Sequence, residues 1–471
     1  MDFAQHVNTA HVQNEQRFDS IPAGARVDPP GPERVQMERA RSERKTRRRL
    51  MAAAVGLAVA ATSPVAAADL GTGCCADLES RIAELEATAA RKGNRKVSLS
   101  ITGYIAQEIT IWDDSVERNA YIHGMGPTQA SNIRFLGQAK IAPGWNAGYL
   151  MRIQDLTGNA FAGGTGAIDQ NNAARNDNLN IQMSLWYLQS DSLGKLSVGR
   201  QAHAAKSAAM FTDLSGTQII DNYTFLAGFP QFRLRDTSGA LSNLTWGQLG
   251  FCYTQGVPLG GDCNGIVMNG VRYDTPTFGG FSFSASWGDD DFWEVAARYA
   301  GEMAGFKMAF GIGYTEMRDE MTTGAIAVLT SKQSDFFQTG GYVQHIGTGL
   351  FLHGAYGREF NNDTILANGH TQLDSEQWYV KGGIRRNWTG LGATILYGTY
   401  GAYLDQLGPA ALAAGATSST LERFGGGIAQ EFDAAATTVY LKYQRYEADV
   451  DGIADDFKAA DFFSVGALVN F

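Results

Sequence analysis

The sequence predicts an all-β membrane protein, a 16-stranded antiparallel transmembrane β-barrel over residues 97–471 with a short N-terminal periplasmic helix before it. Three observations carry that expectation. Stretches in which polar and apolar residues alternate recur about sixteen times after residue 96, the period-two signature of strands with one greasy face. No apolar run reaches the roughly 18 residues that a membrane-spanning helix needs. The final stretch, 461–471 (DFFSVGALVNF), sets Phe463, Val465, Ala467, Val469 and Phe471 on one edge and finishes on an aromatic ring, as suits a strand that closes a barrel at a membrane interface.

Composition agrees. The 471 residues include 56 Gly and only 11 Pro, and charged residues make up 18%, little for a soluble chain of this length. A formal net charge of -10 disfavours nucleic acid as a partner.

Residues 1–36 are polar and irregular and read as an extension upstream of a natural start at Met37. Residues 37–68 then read as a signal peptide: the basic run 41–49 (RSERKTRRR), the short apolar run 50–62 (LMAAAVGLAVAAT), and small residues at Ala66, Ala67 and Ala68 for cleavage. The Arg47-Arg48-Arg49 run resembles a twin-arginine signal, but a barrel crosses the inner membrane unfolded, so the general secretion route is expected. Within 74–93, Cys75, Leu78, Ile82, Leu85 and Ala89 fall three and four apart, with acids early and Arg91 and Lys92 late. That is a short helix ending at Gly93, either a coiled coil or a single helix packing on the barrel or lying free in the periplasm.

The alternating stretches are 97–112, 132–141, 146–156, 180–189, 195–201, 269–275, 280–288, 292–300, 305–314, 336–345, 349–358, 377–386, 391–401, 421–432, 437–447 and 460–471. In the first, Val97, Leu99, Ile101, Ile105, Ile109 and Ile111 share one face and Ser98, Thr102, Tyr104, Glu108 and Thr110 the other. Short turns such as 142–145, 276–279, 301–304, 387–390 and 433–436 fall at one parity and the long connections at the other, the sidedness of an outer-membrane barrel with both ends periplasmic. The last strand must pair with the first, because only closure removes unpaired backbone edges from lipid.

One connection, 202–268, is far longer than the rest, and its Phe211, Ile219, Ile220, Phe232 and Trp246 make it too apolar to stay unfolded in water. The large surface available to it is the barrel interior, so it is expected to fold inward as a constriction. Cys252 and Cys263 lie within it and could close a small ring in an exported protein.

The polar phase of the strands places Arg134, Lys140, Arg152, Arg298, Lys307, Lys381, Arg385 and Lys442 in the lumen, with Glu108 and Glu294 as the clearest acids. On the lipid side each charge would cost about 2–4 kcal/mol near the midplane. The loop adds Asp213, Asp221, Asp236 and Asp262 beside Lys206, Arg233 and Arg235, and Asp213 and Asp221 are the residues expected at the narrowest point. Opposed acids and bases there would set a transverse field. Arg200 is out of phase, and Gly199 beside it is a place where the alternation could break.

No catalytic residue, metal site or cofactor is expected. The sequence has no G-x-S-x-G elbow, no H-E-x-x-H and no phosphate loop, and His203, His345 and His353 lack ligand spacing. Asp289-Asp290-Asp291 reads as a solvated outer turn.

The blocks 77–99 (DLESRIAELEATAARKGNRKVSL) and 270–300 (GVRYDTPTFGGFSFSASWGDDDFWEVAARYA), with the terminal Phe471, resemble the general porins of alphaproteobacteria. The resemblance implies a homotrimer in the outer membrane, embedded among lipid and lipopolysaccharide. It implies passive diffusion of small hydrophilic solutes and ions through each subunit. It further implies that the barrel-assembly machinery reads Phe471 and that the third long loop folds inward. Two other readings remain: a barrel hydrolase, for which the Ser/His/acid arrangement is missing, and a structural barrel that anchors the envelope through its N-terminal helix.

Overall fold

The computed structural model describes residues 96–125, 129–155, 179–222, 232–252, 267–288, 292–318, 329–331, 333–361, 365–366, 374–454 and 456–471. All of them belong to one compact unit, Ala68–Phe471. The expected extension (1–36), signal (37–68) and helix (74–93) lie outside the described residues, as do Cys263, Asp262 and Asp289–Asp291.

Alternation becomes strands where the sequence predicts them. They are β1 Ser100–Asp113, β2 in two segments (Arg118–Gly124 and Asn132–Ala142), β3 Trp145–Asp155, β4 Leu179–Ser190, β5 Gly194–Ala202, β6 Val267–Asp274, β7 Phe281–Gly288 and β8 Trp293–Met303. The second half comprises β9 Phe306–Arg318, β10 Gln333–His345, β11 Leu350–Phe360, β12 Ser375–Arg386, β13 Thr394–Leu404, β14 Ser418–Phe432, β15 Thr437–Asp451 and β16 Ala460–Asn470. The barrel sheet has 17 segments, and since both segments of β2 pair with β1, they make sixteen strands.

β16 pairs antiparallel with β1 from Tyr104↔Asn470 to Asp113↔Asp461, which closes the ring. One further pair of backbone bonds extends the seam: Gly103 N–H donates to Phe471 O at 2.8 Å, and Phe471 N–H returns to Gly103 O at 3.1 Å. No edge is then left to face lipid.

The wall is inside out by the standards of a water-soluble protein. Ile101, Ile105 and Ile109 on β1 are exposed, while Tyr104, Glu108 and Thr110 at the alternate positions are buried. β16 repeats the pattern, with Phe463, Val465 and Val469 outside and Phe462, Ser464 and Leu468 inside. Apolar-out and polar-in is what a hydrocarbon solvent selects. Arg200 keeps the outward phase that strict alternation gives it: it pairs with Ser184 and Asn269 in register, while Ser197 and Gln201 are buried inside.

Candidate functional site

The site is built where the first part of the long connection, 203–222, lies against the inner wall. Its backbone and side chains are pinned strand by strand from β6 round to β15. Arg272 on β6 donates to the Ala202 and His203 carbonyls at 3.0 and 3.1 Å. On β8, Glu294 Oε2 accepts from Ala205 N–H at 2.6 Å, and the Arg298 guanidinium donates to the Ala204 carbonyl at 2.5 Å. Gln338 Oε1 on β10 takes the Ala209 N–H at 2.9 Å, and His353 Nε2 on β11 lies 3.0 Å from Thr212 Oγ1.

Between those anchors the wall is smooth. A Cβ on Gly311 of β9 would come within 2.3 Å of the Ala208 carbonyl oxygen, and one on Gly340 of β10 within 2.4 Å of that of Ala209. Glycine at these inward positions is what allows the loop backbone to rest on the sheet.

The second half of the segment is held by charge. Lys381 Nζ on β12 sits 2.7 Å from Asp213 Oδ2 and 2.9 Å from Thr217 Oγ1, and also donates to the Asp221 carbonyl. Arg423 on β14 pairs with the Asp221 carboxylate and donates to the Asn222 carbonyl at 2.9 Å. Lys442 on β15 bonds the Ile220 carbonyl and Glu108 Oε2, each at 3.0 Å. Burial works against the charge on Asp213, but the Lys381 ammonium, His353 and the bond from Ser215 together outweigh it and hold the carboxyl below its ordinary range.

Asp213 and Asp221 are therefore sealed between loop and wall: the side chains of the Lys381–Asp213 pair are 0% and 1% exposed. Glu108 is buried with Lys442, His123 and Tyr440 around it. Arg385 pairs with Glu431 at 2.5 Å, beside Gly216 of the loop. Arg134 and Arg152 stand directly opposite each other on β2 and β3.

Arg423 is not among the residues expected in the lumen, although its phase against the outward Phe424 and Ile428 marks it as inward. Gln338 and the glycines under the loop carry no such mark in the sequence, because their roles depend on what crosses them.

The second part of the loop, 232–252, attaches to the long-loop rim. Phe232, Leu234, Trp246 and Leu249 pack with Trp112, Tyr121, Tyr446 and Phe462. Arg235 pairs with Asp114 at 2.8 Å and Glu117 at 3.2 Å, while Thr237 N–H and Lys458 N–H exchange bonds with Asp456 and Arg235 carbonyls. At the same rim, hydrogen bonds from the Ser238 hydroxyl and the Ala240 N–H hold the Asp236 carboxyl below its ordinary value. Cys252 is disulfide-bonded.

A closed lipid-facing barrel with a polar interior, narrowed by a loop bonded to its inner wall, defines a channel-forming outer-membrane protein. Comparison with known families agrees, since a match to the Gram-negative porin family spans residues 52–460. The chain belongs to that family. Among curated proteins none matches.

Solved structures resemble it in fold at low identity. The anion-selective porin from Comamonas acidovorans is 13% identical with a TM-score of 0.51, covering 80% of this chain and 100% of that one. OmpF of Salmonella typhi, in a complex with daunomycin, is 12% identical at a TM-score of 0.49, over 81% and 99% of the two chains. OmpT of Vibrio cholerae is 10% identical at 0.48, over 81% and 100%.

Proposed function

We propose that the chain is a general diffusion porin, passing small hydrophilic solutes and ions through a pore whose width the 202–268 loop sets. The observation that carries this is the pinning of 203–222 across the inner faces of β6 to β15, which narrows the lumen without severing the wall. Liposomes containing the purified protein should swell in small sugars at rates that fall steeply with solute size. Absence of swelling, with the barrel shown folded by circular dichroism, would defeat the proposal.

The reading extends to a homotrimer of the alphaproteobacterial kind, embedded in lipid and lipopolysaccharide, with no catalytic role. Family membership and the resemblance of the 77–99 and 270–300 blocks support it. Crosslinking in the native membrane should give a band at three subunits. In the same reading the mature chain begins near Ala68, which N-terminal sequencing of the membrane form tests. Cys252 is taken to pair with Cys263, and a nonreducing peptide map should recover the two peptides joined.

A further inference from the structure

Arg134 and Arg152 are direct partners in the β2–β3 register. Like charges placed opposite on one face of an antiparallel pair, with Cβ atoms about 5 Å apart, repel each other. Both point inward, because Ile133 and Met151 beside them are exposed on the lipid side. Both are also partly accessible, so neither is sealed under the loop. Arg134 Nε is oriented by Asn132 Oδ1 at 3.0 Å, a neutral acceptor. The side-chain neighbour of Arg152 is the Tyr104 hydroxyl, again a neutral group, and Tyr104 is the register partner of Asn132 on the same inner face.

Four other lumen cations come with carboxylates: Lys381 with Asp213, Arg423 with Asp221, Lys442 with Glu108, and Arg385 with Glu431. Those pairs cancel. The described inner faces of β2 to β5 present Arg134, Arg152, Lys140 and Lys195 and no carboxylate, and of these only Lys195 has an acid, Asp274, opposite it in register. Tyr104 also joins the apolar cluster that contains Ile220 of the loop, which sets the arginine pair beside the narrowed part of the lumen.

We propose that Arg134 and Arg152, with the Tyr104 hydroxyl, form an anion-recognition station that makes this channel prefer anions, with carboxylate and phosphate solutes as its favoured class. The inference rests on the diffusion-channel reading above. Two planar guanidiniums with no carboxylate partner among the described residues match the oxygen pairs of carboxylate and phosphate, and a passing anion relieves their repulsion. A fixed positive wall in a narrow, low-dielectric passage concentrates counter-ions locally.

Two measurements on the full-length protein test this. Zero-current potentials in a potassium chloride gradient should show chloride preferred, and the R134Q/R152Q double variant should lower the chloride-to-potassium permeability ratio about tenfold while single-channel steps persist. R134K/R152K should retain the preference. A cation-preferring wild type, or a ratio unmoved in the double variant, overturns the proposal. Independently of conduction, calorimetric titration with inorganic phosphate should give binding to the wild type that R134Q/R152Q abolishes. Phosphate binding without any conductance would sink the channel reading and leave the station standing. Conductance without arginine-dependent selectivity or binding would do the reverse.

Discussion

Lys381 Nζ on β12 lies 2.7 Å from Oδ2 of Asp213 in the folded-in loop, and water reaches neither side chain. Breaking such a buried pair from one side strands the other charge, at a cost of about 3–5 kcal/mol. Lys381→Met should therefore release the 213–222 part of the loop. Single-channel steps should become larger and noisier and thermal stability should fall. Adding Asp213→Leu removes the stranded carboxylate and should recover much of that stability. An unchanged conductance trace in Lys381→Met would show that the pair does not position the constriction.

The same pair gives the loop a pH dependence whose sign follows from the depressed Asp213 carboxyl. A carboxyl with a lowered folded-state pKa contributes stability that is fully present above its ordinary value of about 3.9 and is lost as pH falls through the folded value. The Asp213-dependent part of the conductance should stay constant through neutral pH and rise only below the ordinary carboxylate range. Recordings stepped downward from pH 7 check this, with Asp213→Asn expected to lack the step.

The glycine surface beneath the loop predicts a different lesion. A valine at Gly340 would drive its Cβ to 2.4 Å from the Ala209 carbonyl oxygen and 2.8 Å from Thr212 Oγ1, and the backbone there cannot give way cheaply. The barrel ladder on β10 is untouched by the substitution, so Gly340→Val should fold yet lift the 208–212 segment from the wall. Faster liposome swelling with larger sugars, at unchanged heat-modifiable gel mobility, is the expected result. A swelling profile like that of wild type would argue that this contact does not set the pore width.

The barrel was legible because its pattern is local. Each strand shows its lipid face through its own alternation, so all sixteen could be placed without knowing their neighbours. The Arg118–Gly124 segment of β2 shows no clear alternation, because only Ile122 is large, apolar and strongly exposed on its outward face. The site was legible only as a set of inward charges. Whether Asp213 meets water or Lys381 is decided by which strand the loop crosses, separated from it by 168 residues of chain. Phase alone could mark Lys381, Arg385 and even Arg423 as inward. It could not say that the loop would take the charges of Lys381 and Arg423 and leave Arg134 facing Arg152.

The terminal residue offers the sharpest separation of assembly from function. Phe471 exchanges both backbone bonds with Gly103, and its ring is 52% exposed on the outer surface, near the close approach of Gly103 to the Asn132 carbonyl. Deleting it removes the last rung of the β1–β16 seam but leaves the ten register pairs from Tyr104↔Asn470 to Asp113↔Asp461. A finished barrel should therefore hold, whereas a chain still closing its seam loses the residue that ends the final strand at the membrane interface. The truncated protein should reach the outer membrane in much lower amount, and the molecules that arrive should conduct with the wild-type step size. Quantifying membrane-inserted protein beside single-channel recordings separates the two effects. Wild-type abundance would show that Phe471 is dispensable for closure, and an altered step size would mean that the seam, rather than the loop alone, shapes the pore.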